Sequence, residues 1–138
     1  MPATRFAVRF SAASILAVEI AIHVALAPAH LREVPYIGAG FVLASVLLAV
    51  ALIGVVVAPS NPTGWLLGAA LSVGMAVLFL VSRLFGLPDY HEAWSSDNGL
   101  GLISLPLEIG FLVCAVATLS AHSQPYRPSA RPAGVLDG

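Results

Sequence analysis

The stretch 36–58, YIGAGFVLASVLLAVALIGVVVA, decides the fold of this chain because it contains no charged residue and is apolar on every side of a helix. A helix that is apolar all round belongs either in a lipid bilayer or in the deep core of a large protein. A chain of 138 residues offers no such core. Since about 20 apolar residues cross the hydrocarbon layer as a helix, the stretch predicts a membrane span.

Three further apolar stretches of similar length lie at about residues 6–26, 63–84 and 99–121. The whole chain is 59% hydrophobic and only 9% charged, a balance typical of multi-pass membrane proteins. We therefore predict an all-α integral membrane protein. Its transmembrane domain is a four-helix bundle over residues 1–121, and residues 122–138 form a disordered tail.

Proline and glycine residues mark the predicted ends of these spans, because proline has no backbone N–H to continue a helix. Pro28 is expected to end the first span, and the sequence PSNP at 59–62 to form the turn before the third. The hydroxyl of Thr63 is expected to cap the third helix. At its other end, Gly86 should adopt a left-handed conformation and Pro88 should prevent the helix from resuming.

The distribution of arginine predicts the orientation in the membrane. Arg5 and Arg9 flank the first span and Arg127 and Arg131 follow the last, whereas the loops on the other side carry Arg32 and an excess of acid. The positive-inside rule then places both termini in the cytoplasm. The absence of lysine beside abundant alanine, glycine, valine and arginine suggests a GC-rich coding bias and therefore a bacterium. We accordingly expect the plasma membrane.

One alternative concerns the first span, which also has features of a cleaved signal peptide. A basic start, an apolar core and the small-residue sequence Ala25-Leu26-Ala27 match that pattern. Glu19 and His23 interrupt the apolar core, which favours a retained span. Cleavage stays open.

Several functional classes are disfavoured by the residues present. The six basic residues are scattered arginines and form no basic stripe, so nucleic acid is not an expected partner. Cys114 is the single cysteine, which excludes a disulfide framework within one chain. No phosphate loop, dinucleotide fingerprint or spaced nucleophile and base is present, so we name no catalytic residue and expect a conventional enzyme less than a binding protein.

Glu19, His23, Arg83 and Glu108 are ionisable residues within the predicted spans. Each such group costs about 2.5 to 3.5 kcal/mol to insert, so it is usually kept for pairing, ligand binding or charge movement. Glu19 and His23 are four residues apart and share one helix face. We predict that the four form a polar network or ligand pocket in the outward half of the bundle. Arg83 either pairs with Glu108 or extends alone to the headgroups.

His23, His30 and Glu108 are also residue types that bind transition metals, and we consider a metal ion or a haem-like group as a cofactor. His30 joins this set only if the first helix continues past Pro28. The same side chains would equally serve a proton relay or a purely structural network.

The chain resembles an uncharacterised family of small four-transmembrane-helix bacterial membrane proteins over about residues 15–119. The elements that carry the resemblance are His23, Ala27-Pro28-x-His30, Ser82-Arg83-x-x-Gly86-Leu87-Pro88 and Glu108. The resemblance implies a shared fold and a shared polar site, and it implies no activity. Asp89 and Tyr90 depart from the family's pattern, in which glycine and a proline-containing stretch are more usual.

Three functions follow from these observations. The leading hypothesis is an outward-facing polar pocket that binds a metal ion, a haem-like group or a small anionic or quinone-like ligand. The second is an accessory or assembly subunit of a larger membrane complex, in which the polar residues only hold helices together. The third is a proton-coupled or channel-like homo-oligomer, which the lack of a polar stripe through the full membrane depth disfavours.

Overall fold

The computed structural model describes residues 2–91 and 99–122, which form four helices. The helices are α1 (Pro2–Glu33), α2 (Pro35–Val57), α3 (Pro62–Leu84) and α4 (Gly99–His122). All four are long and apolar enough to cross a bilayer. The prediction of an all-α protein with four membrane-spanning helices is confirmed. The predicted disordered tail lies, from residue 123 onward, outside the described residues.

The four helices form a closed ring in which each helix packs against its two neighbours. α1 contacts α2 and α4, and α3 also contacts α2 and α4. The single residue Val34 joins α1 to α2, and residues 58–61 join α2 to α3. Connections this short force adjacent helices to run antiparallel. The α1–α2 and α3–α4 connections therefore lie at the same end of the bundle, which we call the open end.

The expected end of the first helix at Pro28 is wrong, because α1 continues through this proline to Glu33. Proline is tolerated inside membrane helices where neighbouring helices stabilise the local backbone. The backbone of Leu31 lies directly against Gly38 of α2, where no side chain would fit. This close contact holds the last turn of α1 on α2, so His30 lies on the helix.

The expected cap of the third helix is also displaced by two residues. The side chain of Asn61 accepts a hydrogen bond from the backbone N–H of Thr63 at 2.9 Å, and Pro62 occupies the first helical position. Asparagine is a better cap than threonine, and proline is well suited to the position that follows it. At the other end of α3, Gly86 has a φ of +77°, which confirms the predicted left-handed turn.

The bundle is tightly packed at the end opposite the open end. Its apolar core comprises Ala12, Leu16, Leu48, Ala51, Val55, Trp65, Phe111 and Ala115. The rings of Trp65 and Phe111 are stacked with centroids 6.1 Å apart, and Phe111 fills the space that a side chain at Gly68 would need. This apolar core closes one half of the bundle, and the polar residues lie in the other half.

The outward faces of the helices carry large apolar side chains that are exposed in the single chain, such as Leu43, Val57, Ile109 and Val116. In water, apolar patches on this scale would drive aggregation. In a bilayer they contact acyl chains. The protein is a multi-pass membrane protein whose surface contacts lipid.

Candidate functional site

A cavity of about 400 Å³ lies at the open end of the bundle. All four helices and the α3–α4 connection contribute to its wall. The lining residues are Ile22, His23, Leu26 and His30 of α1; Tyr36, Ile37, Gly40, Phe41 and Ala44 of α2; Met75, Leu78, Phe79, Ser82 and Arg83 of α3; Leu87 and Tyr90 of the connection; and Leu100, Gly101, Ser104 and Glu108 of α4. The wall is mainly apolar, with a few polar groups among the apolar ones.

Helical periodicity places these polar groups on the wall. On α4, the lining residues Ser104 and Glu108 follow Gly101 by three and seven residues, so all three share one face. On α1, His23 and His30 are seven residues apart and share the face that lines the cavity, where both rings lie beside Phe41 of α2. The predicted residues His23, His30, Arg83 and Glu108 therefore meet at one cavity.

His23 is buried, and its ring orientation is fixed by its own helix. Its Nδ1 lies 2.9 Å from the backbone carbonyl of Glu19. A carbonyl oxygen can only accept, so Nδ1 carries the hydrogen. In the neutral ring, Nε2 is then a hydrogen-bond acceptor. The Oε2 atom of Glu19 also lies 3.7 Å from Nδ1.

His30 makes the same kind of hydrogen bond to its own helix, two turns nearer to the open end. Its Nδ1 donates to the carbonyl of Leu26 at 2.9 Å, which leaves Nε2 as an acceptor for the hydroxyl of Tyr90 at 3.1 Å. Tyr90 belongs to the α3–α4 connection. The hydrogen bond from Tyr90 to His30 therefore ties that connection to α1, across the cavity.

Arg83 lies against an aromatic ring, not against an acid of α4. Its guanidinium carbon is 3.6 Å from the ring centroid of Phe79. Its Nη2 atom lies 3.4 Å from the point that a Cβ atom at Gly101 would occupy. Among the described contacts, the expected ion pair with Glu108 is not formed, since Glu108 lies two turns, roughly 10 Å of helix rise, below Gly101. Only 4% of Arg83 is exposed, so it does not extend along the lipid surface either.

Two carboxyl groups, Glu19 and Glu108, lie near the bottom of the cavity. Both residues are at most 2% exposed. They lie on helices that are in contact about one turn deeper, where Ile15 of α1 is 3.2 Å from the position of a Cβ at Gly110 of α4. Glu108 lines the cavity, whereas Glu19 lies one turn below His23, toward the apolar core. Within the described part of the chain, both oxygens of Glu19 and Oε2 of Glu108 have no hydrogen-bond partner.

The metal site predicted from His23, His30 and Glu108 receives no support from this geometry. Within residues 2–91 and 99–122, no three His, Cys, Asp or Glu side chains are grouped so that they could hold a metal ion. The two histidines are two turns apart, roughly 10 Å of helix rise, and Nε2 of His30 is bonded to Tyr90. The prediction of a haem-like group gains nothing from these residues either.

Aromatic residues of the wall were not among the predicted site residues. Phe41 contacts both histidines, with centroid distances of 5.3 Å to His23 and 4.6 Å to His30. The small residues Gly40 and Ala44 lie near Phe41 on the same helix, and they leave space beside its ring. This pattern could have indicated that Phe41 lines a cavity. No sequence signal indicates that Tyr90 would reach His30.

The α3–α4 connection covers part of the cavity. Leu87 and Tyr90 exchange two backbone hydrogen bonds, of 2.6 and 2.9 Å, around a tight turn in which Asp89 has a φ of +56°. The hydroxyl of Tyr36 on α2 donates to the carbonyl of Pro88. Tyr36 and Tyr90 thus hold the turn onto α2 and α1. The remainder of the α3–α4 connection, residues 92–98, lies outside the described residues.

No family model, no curated protein and no solved structure matches this chain. The resemblance to a family of small four-helix membrane proteins stays a prediction. The function must be inferred from the cavity and its side chains.

Proposed function

We propose that this protein is a plasma-membrane protein that binds a small, mainly apolar molecule with one polar group in the cavity at the open end. The observation that supports this most is that His23, Arg83 and Glu108, from three different helices, are at most 7% exposed and line one cavity of about 400 Å³. Binding sites for small molecules are typically about 300 to 1,000 Å³, with mainly apolar walls and a few convergent polar groups.

A purely structural polar network is less consistent with the hydrogen bonds. In such a network, polar side chains on different helices would bond to one another and so offset their insertion cost of about 2.5 to 3.5 kcal/mol each. Ser82 and Ser104 instead donate to carbonyls of their own helices. Glu108 keeps one oxygen without a hydrogen-bond partner among the described residues. Glu108, which lines the cavity, therefore retains hydrogen-bonding capacity for a ligand.

A pore through the single chain is also less consistent with the packing. The cavity ends at the apolar core, in which Leu16, Leu48 and Phe111 are fully buried. A polar path would have to cross this layer. Under the predicted topology the open end faces the outside of the cell, so a ligand would come from that side or from the outer leaflet.

The test uses two glycines at which an added side chain meets no neighbour. Gly40 lines the cavity and Gly74 does not, and a Cβ at either position has nothing within 4 Å. Gly40→Leu should fill the cavity, and Gly74→Leu is its matched control. Each purified protein is mixed with octylamine, octanol or octanoate, which share one tail and differ in head group, and its thermal unfolding is followed.

At least one of the three molecules should stabilise the wild type, because binding to the folded state contributes about 2.7 kcal/mol at a ligand concentration of 100 Kd. Gly40→Leu should lose this stabilisation and Gly74→Leu should keep it. The proposal is refuted if none of the three stabilises the wild type, or if Gly40→Leu responds as the wild type does.

A further inference from the structure

We propose that the ligand is an apolar amine in its protonated form, and that its ammonium group replaces a proton held between Glu19 and Glu108. This inference rests on the proposed function and adds the chemical class of the ligand. The exchange is balanced, since one positive charge enters the bottom of the cavity and one proton leaves to the solvent.

Hydrogen-bonding capacity at the bottom of the cavity is the first reason. Glu108 and His23 line the bottom of the cavity, where Oε2 of Glu108 lacks a hydrogen-bond partner in the described chain and Nε2 of neutral His23 is an acceptor. Glu19, whose two oxygens also lack partners, lies one turn deeper. Once that proton has left, all of these atoms accept and none donates. A ligand that satisfies them must bring N–H or O–H donors, which an ammonium group does and a quinone or carboxylate does not.

Charge balance is the second reason. Among the described residues, the ionisable groups that face this region are Glu19, His23 and His30 on α1, Arg83 on α3 and Glu108 on α4, with the phenols of Tyr36 on α2 and Tyr90 of the connection nearer the open end. Two are acids and one is always a cation. The guanidinium of Arg83 lies beside Gly101, about two turns from Glu108 along the helix.

Two neighbouring carboxylates in a low-dielectric region cannot both stay charged without a nearby cation. Either a proton or a bound cation must therefore accompany the pair of Glu19 and Glu108. A bound ammonium group favours the charged form of both carboxyl groups, so the proton that the pair carried is released to the solvent.

The walls suit the rest of such a molecule. The ring of Phe41 lies beside His23, and an aromatic face attracts cations that come within about 6 Å of its centre. Leu26, Met75 and Leu78 provide apolar contacts on two helices. The cavity thus combines acids at the bottom with apolar and aromatic walls, an arrangement that favours an amine with an alkyl or aromatic body.

The experiment is isothermal titration calorimetry of the detergent-purified protein with octylamine, octanol and octanoate. Each titration is performed at one pH in two buffers that differ in ionisation enthalpy, so that the number of protons released is measured. Octylamine should bind about tenfold more tightly than octanol or better, because hydrogen bonds from a charged donor are about twice as strong as neutral ones. Its binding should release about one proton.

Glu19→Gln and Glu108→Gln should each reduce the proton release and weaken octylamine binding. Glu33→Gln, at the exposed end of α1, is the matched control and should behave as the wild type. If the two buried variants do not fold, the wild-type proton count decides by itself.

Octylamine binding without proton release, or octanol or octanoate binding as tightly as octylamine, would overturn the inference. In either case the proposed function would survive, provided that Gly40→Leu abolishes the binding. The absence of binding by all three molecules would refute the proposed function as well.

Discussion

Replacement of Glu108 by methionine should stabilise the ligand-free protein. Glu108 is 1% exposed, and its Oε2 atom has no hydrogen-bond partner among the described residues. Methionine has a similar length and adapts to irregular spaces, so Glu108→Met changes the polarity of the position more than its volume. A residue kept for a ligand, and not for the fold, should be replaceable in this way without loss of stability.

The expected change in the free energy of unfolding follows from the cost of burying a polar group inside the bundle. Insertion of a charged residue at depth in a helix costs about 2.5 to 3.5 kcal/mol. Replacement of buried ionic groups by well-packed apolar ones stabilises proteins by about 1 to 4 kcal/mol in favourable cases. Because the cavity next to Glu108 lowers the packing gain, we expect Glu108→Met to raise the free energy of unfolding by about 1 to 2 kcal/mol.

The assay is reversible unfolding in mixed micelles, followed by circular dichroism, with Glu33→Met as the control for an exposed acid. The control should change the free energy of unfolding by no more than about 0.5 kcal/mol. If Glu108→Met destabilised the protein by more than about 1 kcal/mol, Glu108 would have structural partners, and the assembly-subunit hypothesis would be favoured over the binding site.

Three further changes test the packing around the site, each measured by the same unfolding assay. Phe111→Ala removes a fully buried ring of the apolar core and should cost about 3 to 5 kcal/mol. Gly68→Ala places a Cβ 2.5 Å from the ring of Phe111 and should cost about 1 to 3 kcal/mol, whereas Gly74→Ala, with nothing within 4 Å, should cost nothing. Tyr90→Phe removes the hydrogen bond to His30, should cost about 0.5 to 1.5 kcal/mol, and should speed amide exchange at Leu87.

The fold could be predicted from hydropathy because a bilayer leaves few solutions for the backbone. A stretch such as 36–58 has no water to satisfy its peptide groups, so it must form a helix. Short connections then fix the antiparallel order. The error at Pro28 arose because the penalty of proline was judged from the chain alone, whereas the contact of Leu31 with Gly38 depends on where α2 lies.

Part of the site could also be predicted, since helical spacing places residues on faces without any knowledge of the other helices. The proximity of Glu19 and His23 follows from their four-residue spacing. His30 lies seven residues after His23, so it lies on the same helix face if α1 continues past Pro28, as it does. The contact of the Arg83 guanidinium with the ring of Phe79 could not be predicted. It depends on the rotation of α3 and on the depth of Gly101 relative to Glu108, which hydropathy does not specify.

The contact of Tyr90 with His30 was beyond sequence reasoning for a different reason. It depends on the turn from Leu87 to Tyr90, in which Asp89 has a positive φ angle. The dipeptide Pro88-Asp89 favours a turn, but it does not indicate which helix the ring of Tyr90 contacts. The position of Tyr90 against His30, where it closes part of the cavity, is therefore known only from the structure.

The central claim is that water and small molecules reach the buried polar groups of the open end, and thiol labelling tests it most directly. Ser104 and Ser72 are both buried, at 6% and 2% exposure, but only Ser104 lines the cavity. With Cys114 replaced by serine, and with the open end outside as the predicted topology places it, Ser104→Cys should react with a small water-soluble methanethiosulfonate reagent applied outside intact cells, and Ser72→Cys should not. Equal reaction rates at the two positions would contradict the claim.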